Sequence, residues 1–173
     1  MITGCKRGDR KAQEQLYRSY YKAMMGLCMR YSKNESDAVE ILNTAFLKVF
    51  VHIQRYDPAQ GSMYTWIRTI VVHSCLDFIK RKSKAVLHKE LDRALDVHLD
   101  ADAVSKLEVA MLLQLIRELP PATQAVFNLY VMEGYNHAEI GQLLTISEGT
   151  SKWHLSEARK RLQHMIRSQE VTI

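Results

Sequence analysis

Apolar side chains recur at steps of three and four along most of this 173-residue chain, and that spacing fits only an α-helix laid against a core. Leu16, Tyr17, Tyr20, Tyr21, Met24, Leu27, Cys28 and Tyr31 form one stripe, with Asp9 placed to cap the helix that carries them. After a polar break at Ser32–Glu35, a second stripe follows: Ala38, Ile41, Leu42, Ala45, Phe46, Val49 and Phe50. Ser36 is the expected cap, and Asp37 suits the positive end of the helix dipole. The turn-rich segment Tyr56–Ser62 precedes a third stripe of Met63, Trp66, Ile67, Ile70, Val71, Ser74 and Phe78, which runs out in Lys80-Arg81-Lys82-Ser83-Lys84. Val49-Phe50-Val51 and Ile70-Val71-Val72 are β-branched, yet they sit inside helical stripes. No segment alternates with period two for long enough to be a strand, so the expected fold is all-α.

The character of the chain changes after Lys84. Asp92, Asp96, Asp100, Asp102 and Glu108 outnumber Arg93 and Lys106, and only the weak stripe Leu91, Leu95, Leu99 interrupts them. Residues 85–104 read as an acidic linker between a helical unit at 1–84 and a second at 105–173. In the second unit the stripe Val104, Leu107, Met111, Leu115, Ile116 ends before Pro120-Pro121, since proline lacks a donor and restricts the residue ahead of it. A short helix is expected over 122–132, with Gly134 ending it.

The stretch from His137 to Leu162 has the pattern of a helix-turn-helix. Ala138, Ile140, Leu143 and Leu144 are the expected packing positions of its first helix. Thr145-Ile146-Ser147 forms the turn, with Ser147 capping the next helix. Ser151, Leu155, Ala158 and Leu162 then face inward. The opposite face carries Glu148, Gly149, Lys152, Trp153 and Ser156, with Arg159, Lys160 and Arg161 beyond. On such a helix the first turns reach base edges and the basic end holds phosphates. A plain helical hairpin with a solvated charged face satisfies the same pattern. A Trp standing among cations favours the contact surface.

Composition narrows the remaining classes. Hydrophobic residues make up 47% of the chain, enough for a packed core, and the formal net charge of +5 permits a polyanionic partner without requiring one. Three cysteines, Cys5, Cys28 and Cys75, are odd in number and lack C-x-x-C spacing. Cys28 and Cys75 fall on apolar faces and read as buried thiols in a reducing compartment. The charged N-terminus has no apolar run behind it and no stretch is long enough to span a membrane, so a cytoplasmic protein is expected. Seven scattered histidines and the absence of Walker, zincin, nucleophile-elbow and dinucleotide motifs offer no catalytic group, no metal site and no cofactor.

Two ordered sets of residues resemble the extracytoplasmic-function group of the sigma-70 family of bacterial RNA polymerase sigma factors. Gly8-Asp9, Leu16-Tyr17, Asp37-Ala38, Phe46-Leu47-Lys48-Val49, Tyr56-Asp57, Trp66-Ile67-Arg68 and Asp77 ahead of Lys80-Arg81 are similar to region two. Leu119-Pro120, Val126-Phe127, Leu129, Glu133-Gly134, Glu139-Ile140, Ser147-x-Gly149-Thr150, Ala158-Arg159 and Leu162 are similar to region four. The resemblance implies a promoter-specificity factor with no small-molecule substrate. Asp37, Glu40, Asn43, Thr44, Phe46, Leu47 and Lys48 would dock on the β′ clamp helices of the polymerase core. Tyr56, Tyr64, Trp66, Arg68, His73, Lys80 and Arg81 would serve the minus-ten element of promoter DNA, where a non-template base flips out. Glu148, Gly149, Thr150, Lys152, Trp153, Ser156, Arg159 and Lys160 would read the minus-thirty-five element beside the polymerase β flap. An anti-sigma factor is a further implied partner. The chain departs from the family pattern in having Thr145 at the turn glycine, Ser151 at a core valine and His73 at an asparagine. Two rivals stand beside this reading: a stand-alone dimeric regulator with the same helix-turn-helix, and a helical enzyme or adaptor, for which no constellation is found.

Overall fold

A computed structural model describes residues 1–86 and 104–170, and the chain divides into two compact units after Lys84. The acidic linker and its Leu91, Leu95, Leu99 stripe lie outside the described residues, apart from the last turn of one helix and the start of the next. Among the described residues there is no strand. The helices are α1 (Ile2–Lys6), α2 (Arg10–Tyr31), α3 (Glu35–His52), α4 (Met63–Val86), α5 (Val104–Glu118), α6 (Pro121–Phe127), α7 (His137–Leu144) and α8 (Glu148–Glu170).

In the first unit α2 and α3 pack along their length. Asp9 caps α2 by accepting from the Lys11 amide at 2.9 Å. The cap of α3 is Asn34, whose Oδ1 accepts from the Asp37 amide at 2.8 Å, rather than Ser36, which lies inside the first turn. Asparagine is as good a cap as serine, and its position one residue before the helical backbone begins decides the matter. Leu16, Met24, Leu27 and Cys28 meet Ile41, Leu42, Ala45, Phe46 and Val49, with Ile67, Val71 and Cys75 of α4 also buried. Burying one such large side chain contributes about 1.5–3 kcal/mol, so these rows account for the order of the helices. Cys5 is buried as well, because α1 packs on α2. Between α3 and α4 the chain makes two short 3-10 turns, Ile53–Arg55 and Pro58–Gln60.

In the second unit Leu115 and Ile116 of α5, with Leu119 just past its end, pack with Ala158 and Leu162 of α8, flanked by Phe127 and Met165. Pro120 and Pro121 begin α6, whose missing first donors suit prolines. The single helix expected over 122–132 is instead two pieces: α6 ends at Phe127 and a π-turn covers Asn128–Met132, with Glu133 N donating to Asn128 O at 3.0 Å. Gly134, at φ 81°, turns the chain away. Asn136 and Glu139 close a reciprocal capping box on α7. Within α7, Ile140 and Gly141 are buried while Ala138 is exposed. A Cβ on Gly141 would lie 2.9 Å from the Ile146 carbonyl, so the close approach of the turn takes the burial expected of Ala138.

Candidate nucleic-acid interface

The helix-turn-helix presents its chemistry on one helix. Thr145 ends α7 at φ 60° and ψ 48°, the left-handed conformation that glycine adopts without strain. Ser147 caps α8: its Oγ accepts from the Thr150 amide at 3.0 Å and lies 2.8 Å from Thr150 Oγ1. These two residues set the angle between the helices. Ser151, Leu155, Ala158 and Leu162 are all buried, as their spacing predicts. Ser151, at the family's core valine, satisfies its buried hydroxyl by a 2.9 Å bond between Oγ and His137 Nδ1.

The opposite face of α8 is open. Glu148, Gly149, Lys152, Ser156, Arg159 and Lys160 are exposed, Thr150 is half-buried, and Trp153 keeps 60% of its surface in solvent. A Trp so placed makes no contribution to the core. Lys152 bridges Glu148 at 2.7 Å, and that bond holds the Glu148 carboxyl below its usual pKa. Both partners are solvent-exposed and such pairs contribute little, so a phosphate or a base edge can take Lys152 from Glu148 at little cost. A groove of about 410 Å³ runs beside this face, lined by Lys152, Ser156, Arg159 and Lys160 together with Tyr130, His137 and Gln163. Tyr130 stacks on His137 with ring centroids 4.5 Å apart. Neither residue was expected at the site. They come from the π-turn and from α7, and nothing in the local pattern of α8 announces them.

The first unit handles its candidates differently. Asp37 bridges Lys82 at 2.6 Å, Glu40 bridges Arg81 at 3.1 Å, and Lys48 bridges Asp77 at 2.9 Å, so these three charged residues of α3 are tied to the C-terminal half of α4. Between the two helices lies a groove of about 430 Å³, lined by Ile41, Thr44, Lys48, Ser74, Asp77, Lys80 and Arg81. Asn43 is exposed and accepts from the Tyr17 hydroxyl at 3.3 Å. Phe46, placed inward by the apolar stripe and named a contact residue by the family resemblance, is only 2% exposed and packs edge-on against Tyr17 at 4.7 Å, so it supports the surface from below. The apolar groups that α3 turns to solvent are Leu47, Val51 and Val39. Of these only Leu47 was expected. Val39 and Val51 were legible as apolar residues off the buried stripe.

The other seven candidates of this unit do not gather at one point. Tyr56 is buried, its ring 5.5 Å from that of half-buried Trp66 and its hydroxyl donating to Gly61 O at 3.1 Å. It anchors the loop rather than offering a free stacking face. Tyr64 is exposed and Arg68 half-buried on one flank of α4, whereas Trp66, His73 and Lys80, seven residues apart, follow another. Arg81 completes the basic end through its pair with Glu40. Among the described residues no cluster of histidine, cysteine or carboxylate side chains has a metal-holding arrangement, and no helix is long and apolar enough to cross a membrane.

Comparison with known proteins gives the same two-part order. Residues 16–85 match Sigma-70 region 2 and residues 110–162 match Sigma-70, region 4. The chain is similar to the ECF RNA polymerase sigma factor SigM of Mycobacterium tuberculosis, 33% identical over 92% of this chain and 79% of that one. It is also similar to the ECF RNA polymerase sigma factor SigW of Bacillus subtilis, 28% identical over 96% and 95%. Its fold is shared with the sigma factor RpoE of Bartonella quintana, solved with the anti-sigma factor NepR, at a TM-score of 0.62 and 15% identity over 91% of this chain and 98% of that one. CnrH, solved with the cytosolic domain of CnrY, shares it at a TM-score of 0.52 and 16% identity, over 96% and 95%. With both regions present in the family's order and a relative one-third identical along most of its length, the chain belongs to the extracytoplasmic-function sigma factors of the sigma-70 family.

Proposed function

We propose that this protein directs the core RNA polymerase of its cell to a specific set of promoters and assists their opening, acting by binding alone. The observation that carries the reading is the open face of α8, where Trp153 and three cations stand on a capped helix within a matched region four. In this reading Glu148, Gly149, Lys152, Trp153 and Ser156 face base edges of the minus-thirty-five element, and Arg159 and Lys160 hold phosphates. In the first unit Leu47, with Val39 and Val51, forms the apolar part of a polymerase-docking surface, and Asp37, Glu40, Asn43, Thr44 and Lys48 form its polar part. Tyr64, Trp66, Arg68, His73, Lys80 and Arg81 serve the minus-ten element, and Tyr56 shapes the loop that receives a flipped base. The two units are the functional domains, and residues 85–104 link them. A cytoplasmic location follows from a polymerase partner. An anti-sigma factor is proposed as regulator, supported by the complex with an anti-sigma factor in which RpoE, a protein of this fold, was solved.

The test is reconstitution with core polymerase and run-off transcription over a genomic library. Promoter-dependent transcripts that need both components are expected. Tight operator binding by a dimer of the isolated protein, with no transcript from the mixture, would instead identify a stand-alone regulator.

A further inference from the structure

Helix α1 precedes the residues that match region two, which begin at residue 16. A helix of five residues has no stability of its own, so what it touches determines both its shape and its use. On one side it seats on α2. A Cβ added to Gly4 would fall 2.7 Å from the Ala12 Cβ, so the close approach depends on glycine. Gly8, at φ 78°, then turns the chain into the Asp9 cap. On the other side α1 reaches a segment about fifty positions away. Lys6 Nζ donates to the Tyr56 carbonyl at 3.0 Å, and the Gln54 side-chain amide donates to the Lys6 carbonyl.

These two bonds run in opposite directions between the same pair of segments. They grip the chain where it enters the loop. Tyr56 in turn holds the rest of that loop, through its hydroxyl to Gly61 and its ring against Trp66. The ammonium of Lys6 is therefore directed at a backbone carbonyl inside the protein, and its charge strengthens that bond.

We infer that α1, through Lys6 and its reciprocal partner Gln54, is a positioning element for the loop from Tyr56 to Ser62 and so a determinant of minus-ten base selection. The inference rests on the proposed sigma function and adds to it a segment outside the matched region. Lys6 acts through Tyr56 and touches no base itself. Its loss frees the loop entrance, widens the range of loop shapes and weakens the preference for one flipped base over another.

The experiment compares holoenzymes carrying the wild-type protein, Lys6→Ala, Lys6→Arg and Gln54→Ala. Each is assayed for core affinity, for binding to minus-thirty-five duplex, and for affinity to non-template strands bearing each of the four bases at the flipped position. The expected result for Lys6→Ala is a loss of discrimination among the four bases of about tenfold, the size of one charge-assisted hydrogen bond. Core affinity and duplex binding stay at wild-type values, and Lys6→Arg restores most of the discrimination. Gln54→Ala, which leaves the lysine in place, shows a smaller loss of the same kind and serves as the test if Lys6→Ala fails to fold. Unchanged discrimination in a folded variant overturns the inference, as does a parallel fall in core affinity and base binding. A wild-type holoenzyme that binds no promoter strand at all sinks the sigma reading itself, a failure visible before any substitution is made.

Discussion

The two units solve the problem of presenting a binding surface in opposite ways. In the second, the candidate residues lie on one helix, largely solvent-exposed, and the fold needs only to aim that helix. In the first, candidates are spread over α3, a loop and α4, and several are engaged within the protein: Phe46 and Tyr56 by burial, Asp37, Glu40 and Lys48 by ion pairs. A groove helix is thus a local device, while the surface of the first unit is assembled and depends on the integrity of its core.

Neighbouring residues of α3 put that contrast to its hardest test. Phe46→Ala empties a core site and is expected to destabilise the first unit by about 3–5 kcal/mol, read by chemical denaturation. Leu47→Ala, one position along, leaves stability within about 0.5 kcal/mol and weakens core polymerase binding about tenfold if it is an anchor. Equal effects from the two would erase the distinction between supporting and contacting residues.

In the second unit the strain at Thr145 is the next largest lever. Left-handed backbone costs a non-glycine residue about 1–2 kcal/mol, partly offset by the entropy glycine loses on folding. Thr145→Gly is therefore expected to stabilise the unit by up to about 1 kcal/mol in a thermal melt, without changing promoter choice. A destabilised variant would mean that the threonine side chain contributes more than its backbone costs.

Smaller effects separate base readers from phosphate holders on α8. Arg159→Ala should weaken all sequences alike and lower the salt slope of duplex binding by about one. Lys152→Ala should instead relax preference at one base position. A uniform loss from Lys152→Ala would move it among the phosphate contacts.

The gentlest probe is pH. Burial pushes the His154 imidazole pKa below its ordinary value of 6.5, and its Nδ1 lies 3.0 Å from Thr123 Oγ1 on α6. The unfolded chain then binds the proton more readily than the folded one. Stability from this residue is full above pH 6.5 and falls as the pH drops through that value toward the depressed folded pKa. Melting curves between pH 5 and 8 (the span around the ordinary histidine value) should show this fall for the wild type and a shallower one for His154→Gln. Identical pH profiles would remove His154 from the account.

How much was readable in advance follows from the same contrast. The inward row Ser151, Leu155, Ala158, Leu162 and the outward row of α8 were legible because a helix converts spacing directly into direction. The Asp9 and Ser147 caps were legible because each serves amides only two or three residues away. The cap of α3 was misplaced by two residues, since Asn34 and Ser36 are both good caps and only the backbone chooses between them. The π-turn at Asn128–Met132 was not foreseen, because one extra residue in a turn leaves the apolar spacing almost unaltered.

The sequence alone determined the helical class, the family's two regions in their order, and the open face of α8, because each is written in short-range periodicity or in motifs of neighbouring residues. Only the tertiary structure decided that Tyr56 looks inward, that Tyr130 and His137 stand beside the groove helix, and that Lys6 reaches Tyr56. Those facts depend on groups brought together across turns and long chain separations. Such meetings are set by how whole helices pack, a balance of many burial and hydrogen-bond terms that no local spacing records.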